Sequence, residues 1–298
     1  MSGDILGLAA LALVSLEWFG LGWLSNIGFP PSPAPPRVAR VATGAVRLLV
    51  GAFLVSLAQL VLAQIGIGFG SAPVVLLLAA VGAFALRAAL RWRSTEDCPA
   101  KLQPLDRREA IGWVLLALVL LASLSRSLVV PEAGWDAFSH WGLRAQAFAL
   151  AGTLVDAHSE HEYYPPLVPL LEASLFAHRG VISIDLAKTV WPVLGSAFGV
   201  CLAWHLRLSL RAVWLAPYLA VGIVLATPGL LEGFWTGQAD LALTAYLSLA
   251  TLAAWQWLQA ADRRWLVQAA VFGGAAALCK FEGLPRVALV CAALTLDG

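Results

Sequence analysis

The residues best equipped for chemistry gather between Trp135 and Glu172, in WDAFSHWGLRAQAFALAGTLVDAHSEHEYYPPLVPLLE, where acids, histidines, tyrosines and prolines accumulate without a membrane-length apolar run. Advancing about 100° per residue from Asp136 puts His140 about 40° and Arg144 about 80° around a helix, one narrow polar stripe. Phe138, Trp141, Ala145 and Phe148 fall on the opposite side. This pattern predicts a helix lying in the membrane interface, aromatics toward lipid and polar groups toward water or a cavity. Two later stretches add ionisable groups: TPGLLEGFWTGQADLALTAY carries Glu232 and Asp240, and LCKFEGLPR carries Lys280 and Glu282. Carboxylates beside cations at a membrane surface are suited to acid–base work and to holding an anion. Such groups are expensive at membrane depth, so Asp136, Glu232, Asp240, Lys280 and Glu282 converging on one face predicts a site.

Each residue also has a plainer reading. Asp240 at the head of a helix is stabilised by the helix dipole, and Asp136 is placed to cap one. Lys280 and Glu282 make an ordinary interfacial ion pair with a snorkelling stem. His158 and His161, taken with His140, have a spacing compatible with zinc, but no cysteine or carboxylate set completes it, so no metal site is expected and a divalent cation is left open. Tyr163 and Tyr164 suit an interfacial aromatic belt.

Positioning these groups falls to the apolar runs around them. Of the 298 residues, 60% are hydrophobic and 12% charged, and the mean hydropathy is +0.81. That composition excludes a soluble globular chain and predicts an all-α polytopic membrane protein. Runs long enough to span a bilayer, about 20 residues each, begin near residues 4, 42, 73, 110, 186, 212, 239 and 265, with a ninth from Pro285, giving eight to nine spans. The first, Ile5 to Leu24, lacks a basic leader and a small-residue cleavage site, so it reads as a retained helix. PPSPAPPR at 30–37 and RSTEDCPAKLQPLDRR at 93–108 read as linkers. A long loop at 131–185 separates the fourth and fifth runs, with the Asp136 helix and a second short interfacial helix at PLVPLLEASLFAHRG. The cysteines form no CxxC or Cys/His cluster and read as packing residues.

Orientation follows from the basic residues. Placing residues before the fourth run in the cytoplasm leaves six of the 19 lysines and arginines outside: Arg126, Arg144, Arg179, Lys188, Lys280 and Arg286. The positive-inside rule favours that arrangement, with the 131–185 loop extracytoplasmic. The dispersed basic residues and a net charge of +1 offer nothing to nucleic acid.

WDAFSHW, His161 followed by YPPLVPL, G-x-ADL at 237–241 and C-K-x-E-G-L-P at 279–285 together resemble bacterial membrane glycosyltransferases of the C type, which are similar to the dolichyl-phosphate-mannose protein mannosyltransferases. The resemblance covers residues 110–296. It divides the chain into three additional N-terminal spans with their linkers, 1–109, and a catalytic membrane core, 110–298, holding the outer loop 131–185. It implies transfer of a hexosyl or pentosyl group from a polyprenyl-phosphate donor to a lipid, glycan or protein acceptor at the extracytoplasmic face of a bacterial inner membrane. Asp136 matches the family's general base. Lys280, ahead of Arg144 and Arg126, is the expected cation for the departing phosphate, while Asp240 and Glu282 are expected to orient substrate, with His140, His161 and Tyr164 beside them. Such enzymes continue for several more helices, so a C-terminally truncated core is expected. Two other classes remain, a polytopic transporter and a non-catalytic envelope assembly subunit of the same fold. Acids at outer helix ends rather than at the midplane weigh against transport.

Overall fold

Lipid offers no partner to an unpaired amide, so apolar runs of this length close their hydrogen bonds internally as helices, and the described residues contain helices and no strand. The computed structural model describes residues 2–24, 36–69, 107–131, 134–154, 164–210 and 215–296, with 76, 79 and 82 between. Among the described residues the first long helices are α1 (Ser2–Leu24), α2 (Pro36–Gln64) and α3 (Arg107–Val129). A π-helical stretch, Ala137–Gly142, runs into α4 (Leu143–Ala151), followed by α5 (Leu167–Arg179) and a single turn, α6 (Ile184–Ala187). The rest is α7 (Val190–Leu210), α8 (Ala216–Leu225), α9 (Pro228–Thr236), α10 (Ala239–Ala260), α11 (Arg263–Cys279) and α12 (Gly283–Leu296).

Five helices are long and apolar enough to cross a membrane, or six if α8 and α9 form one broken span. Eight to nine spans are therefore not reproduced among the described residues. The expected third run falls mostly outside them, and the runs at 265 and 285 form helices of only 17 and 14 residues. The break between α8 and α9 has a local cause. Thr227 precedes Pro228 and adopts φ −60° and ψ 127°, the extended conformation forced on a residue before proline. The arms diverge by 68°, yet both lie along α3: Gly112 abuts the Tyr218 ring, and the Arg126 guanidinium sits 4.4 Å from the Trp235 ring centroid.

Two helix pairs frame the bundle. α1 and α2 touch backbone to backbone, because a Cβ on Gly22 would fall 1.6 Å from the Arg47 carbonyl oxygen and one on Gly51 1.5 Å from that of Trp18. Small residues permit such approach where lipid provides no hydrophobic drive. The hairpin of α10 and α11 forms the other pair, turned by Ala261 at φ 51° and capped by Asp262, which accepts from the Arg264 amide. α7 links them, packing on α2 and on α10.

α5 lies among α1, α2, α4, α7 and α11. Its residues Leu167 to Phe176 are all buried, which corrects the expected surface interfacial helix. Glu172 Oε1 accepts from the Trp191 indole at 3.0 Å, and Ser174 accepts from the Gln59 amide at 2.8 Å, so α7 and α2 each supply α5 with a donor.

The Asp136 helix also departs from its expected geometry. Leu143 donates to the Phe138 carbonyl, an i→i+5 bond that adds a residue to the turn and rotates the residues beyond it. Consequently Trp141, Ala145 and Phe148 are buried against protein instead of lipid, Arg144 is 4% exposed, and Phe138, expected beside them, is 54% exposed.

The α1–α2 contact yields a stability test in purified protein. Gly51→Ala places a methyl into the Trp18 carbonyl and should cost about 1–3 kcal/mol, lowering Tm. Gly222→Ala in α8, where a Cβ meets nothing within 4 Å, should leave Tm unchanged or raise it. Equal shifts in the two variants would refute the backbone contact.

Candidate functional site

The α10–α11 hairpin places an acid and a cation at its open end. Asp240 sits in the first turn of α10, and Lys280 follows the last residue of α11 in extended conformation. Lys280 Nζ donates to Asp240 Oδ1 at 3.1 Å. The lysine side chain is 17% exposed and the aspartate 55%, so the pair is a rim with its inner half shielded. The sequence KFEG fixes this geometry. Gly283 donates to the Lys280 carbonyl at 2.8 Å, and a Cβ there would lie 2.1 Å from the Ala276 carbonyl oxygen, so only glycine turns the chain so sharply into α12. The N-cap residue of α10 is Gln238, which makes no side-chain cap, and the Asp240 carboxylate in the first turn accepts from Lys280.

Burial, the largest single influence, pulls the Lys280 ammonium down, but the Asp240 hydrogen bond and the charges of Asp240, Glu282 and Tyr164 together outweigh it, and its pKa rises above the ordinary lysine value. A raised folded-state pKa means that the pair's contribution is intact through neutral pH and is lost only as pH climbs past the ordinary lysine range. Lys280 stays charged under any physiological condition.

Tyr164 joins this end to the π-helical stretch. Its ring lies 5.1 Å from Trp141 and 6.4 Å from His140, and its carbonyl accepts from Arg144 Nη1 at 2.8 Å. Arg144, an expected phosphate cation, is thus a buried clamp on the chain entering α5. Asp136 is exposed at the start of the π-helical stretch and makes no side-chain cap. Gly134, two residues earlier, rests on the turn between α9 and α10: its Cβ position is 3.3 Å from the Thr236 carbonyl oxygen and 3.3 Å from the Gln238 amide. Asp240 begins two residues beyond that turn.

The structure therefore brings Asp240 and Lys280 into contact, sets Glu282 and Tyr164 within electrostatic reach, and tilts the His140 ring toward Tyr164. It puts Asp136 on the adjoining turn without an ion pair or hydrogen bond to Asp240 or Lys280 among the described residues. His161, with His158 and Tyr163, lies outside the described residues. Glu232 is exposed on α9, and Arg126 is stacked on Trp235. Trp141, expected to face lipid, is the missed member; its burial follows from the π turn, which residue types alone do not announce. A cavity of about 590 Å³ between α1–α2 and α3–α7, walled by residues such as Phe19, Leu48, Leu120 and Val193, carries no titratable group and is suited to hydrocarbon.

No family model matches the chain, and neither does any curated protein or solved structure.

The electrostatics of Lys280 are measurable by amine acylation followed by mass spectrometry across pH. Wild-type Lys280 should label with a midpoint above that of a free lysine. Asp240→Asn removes the strongest raising influence while burial persists, so the midpoint should move to lower pH, and Glu282→Gln should move it less in the same direction. A profile untouched by Asp240→Asn would show that the pair does not hold in solution.

Proposed function

We propose that this chain is the core of a membrane glycosyltransferase of the C type, which moves a sugar from a polyprenyl-phosphate donor to an envelope acceptor. The observation that supports it best is the charged Asp240–Lys280 rim, with Tyr164 beside it and Asp136 on the next turn, at one end of a bundle of apolar helices. The opposite end carries the Glu109–Arg207 pair with Tyr218, and Arg263 and Arg264. By the positive-inside rule that end faces the cytoplasm and the Lys280 end faces outward. On this reading α11, α12 and the run near residue 73 complete a bundle of eight to nine spans in a bacterial inner membrane.

The reaction assigns a task to each group. The acceptor hydroxyl attacks the anomeric carbon as Asp136 takes its proton, and the anomeric carbon–oxygen bond breaks with its electron pair leaving on the lipid phosphate. Lys280 stabilises that departing charge. Its ammonium has three donors, so it holds Asp240 with one and offers others to phosphate. Asp240 positions the cation. His140 and Tyr164, with Glu282 across the rim, line the approach. Arg144 acts through the Tyr164 carbonyl and contributes shape rather than phosphate binding.

A second reading, a proton-coupled transporter, is favoured by one observation: Glu17 is wholly buried within the α1 span, where ionisable groups mark ion paths.

Two variants separate the readings. Asp136→Asn should abolish sugar transfer from a polyprenyl-phosphate sugar while Tm is preserved. Lys280→Ala should weaken donor use by about 2 kcal/mol, roughly 30-fold in kcat/KM. Full transfer by Asp136→Asn removes it from the mechanism, and substrate-driven flux in reconstituted vesicles without transfer would favour the transporter.

A further inference from the structure

The structure holds a second pair of titratable groups, far along α5 from the polar rim. Glu17 has no exposed surface and lies in the span Leu6–Trp23. Its Oε2 is 3.4 Å from Nε2 of His178, a side chain only 4% exposed. Among the described residues neither carboxylate oxygen has a hydrogen-bond partner, and Nε2 of His178 has none. Glu17 is fully enclosed and the His178 side chain nearly so, which leaves the two groups to balance each other's charge.

The other ring nitrogen fixes how. Nδ1 of His178 lies 2.8 Å from the Ser174 carbonyl oxygen; a carbonyl only accepts, so Nδ1 carries a hydrogen. Nε2 then faces Glu17 either as a bare lone pair or as a second N–H. A bare lone pair against an ionised carboxylate would leave two buried acceptors opposed, a strongly unfavourable arrangement. A single proton in the gap, on oxygen or nitrogen, gives one donor and one acceptor and no net charge.

We propose that Glu17 and His178 form a one-proton binding site that seats α5 against α1. The surroundings leave this task to the pair. From α2 come Gln59, spent on Ser174, and Arg47, whose carbonyl lies against Gly22 beyond Trp18. α4 contributes Arg144, clamped to Tyr164 at the other end of α5, and the π-helical stretch contributes Asp136 and His140 there. Asp185 of α6 pairs with Lys188 at 3.6 Å, α7 presents the Trp191 indole to Glu172, and α11 carries its only charges at Arg263 and Arg264.

The proton links α5 to pH. In the unfolded chain above about pH 6.5, glutamate is ionised and imidazole neutral, so the pair holds no proton. The folded site holds one, and its contribution therefore falls as pH rises through neutrality. Between about pH 4.3 and 6.5 both states hold one, and the pair adds no slope. α5 begins at Leu167, three residues after Tyr164, so release of the proton loosens the helix that carries the chain into the polar rim.

The probe is the proton itself, titrated against the thermal stability of the whole chain in detergent. Wild-type Tm should fall between pH 6.5 and 8.5 by on the order of 3 °C per pH unit more than Glu17→Gln, whose amide donates to Nε2 without titrating. Equal slopes in the two proteins would overturn the proposal. Should Glu17→Gln fail to fold, histidine ¹⁵N NMR of the unaltered protein decides. An Nδ1–H tautomer for His178 with a protonated or hydrogen-bonded Nε2 at pH 7 supports the site, and an unprotonated, unbonded Nε2 overturns it.

Discussion

A buried helix in this setting must find every polar partner within the protein, and α5 is where that constraint bears hardest. Ten consecutive residues, Leu167 to Phe176, are out of solvent, so neither Glu172 nor Ser174 can rely on water. α7 answers with the Trp191 indole and α2 with the Gln59 amide. The ends are held as carefully: Arg144 secures the Tyr164 carbonyl ahead of the helix, and Gly180 closes it at φ 71° with its amide on the Phe176 carbonyl. Since lipid is as apolar as leucine, burial of Leu170 or Leu175 discriminates poorly between arrangements, and close packing with matched donors and acceptors sets the position instead. The neighbours of α5 are consequently the elements that carry the polar rim at one of its ends and the Glu17–His178 pair at the other.

The same matching orders the bundle lengthwise. At one end Glu109 meets Arg207 and Tyr218, and Gln256 meets Ser209. At the other, Lys188 reaches the Val130 carbonyl, Arg126 covers Trp235, and Lys280 meets Asp240. Every helix that contributes to one set has its opposite terminus near the other. The broken α8–α9 segment obeys this rule too, running from Tyr218 to Trp235 alongside α3 despite its bend.

Much of this is legible in the sequence, and the exceptions have physical reasons. The apolar runs announce helices at α1, α2, α3, α7 and α10, because hydropathy over about 20 residues reports what the bilayer requires. The turn chemistry of TGQAD and KFEG locates Asp240 and Lys280 at helix ends. The Asp136 stripe is misplaced by angular arithmetic that assumes an unbroken α-helix, and the π turn at Ala137–Gly142 breaks it. α5 reads as interfacial because an apolar helix in lipid and one buried in protein have the same composition; only the location of its partners, Gln59 and Trp191, distinguishes them. Glu17 is visible as an acid in an apolar run, yet its partner lies in FAHR, more than 150 residues away, beyond any local pattern.

Asp240 and Lys280 are also distant in sequence, but their meeting follows from simple geometry. The hairpin turns at Ala261 and Asp262, so Asp240 lies 21 residues before the turn and Lys280 18 residues after it. At about 1.5 Å per residue these arms measure roughly 31 and 27 Å, a difference of less than one helical turn. Two antiparallel helices of matched length must bring such residues to the same level. Charge then selects the contact, since an ammonium left alone at a half-buried helix end costs more than one paired. Shortening α11 by a turn would leave its cation below the rim, and lengthening it would lift Lys280 into water, so the reach of this pair is set by the spacing of the hairpin as much as by its two charged residues.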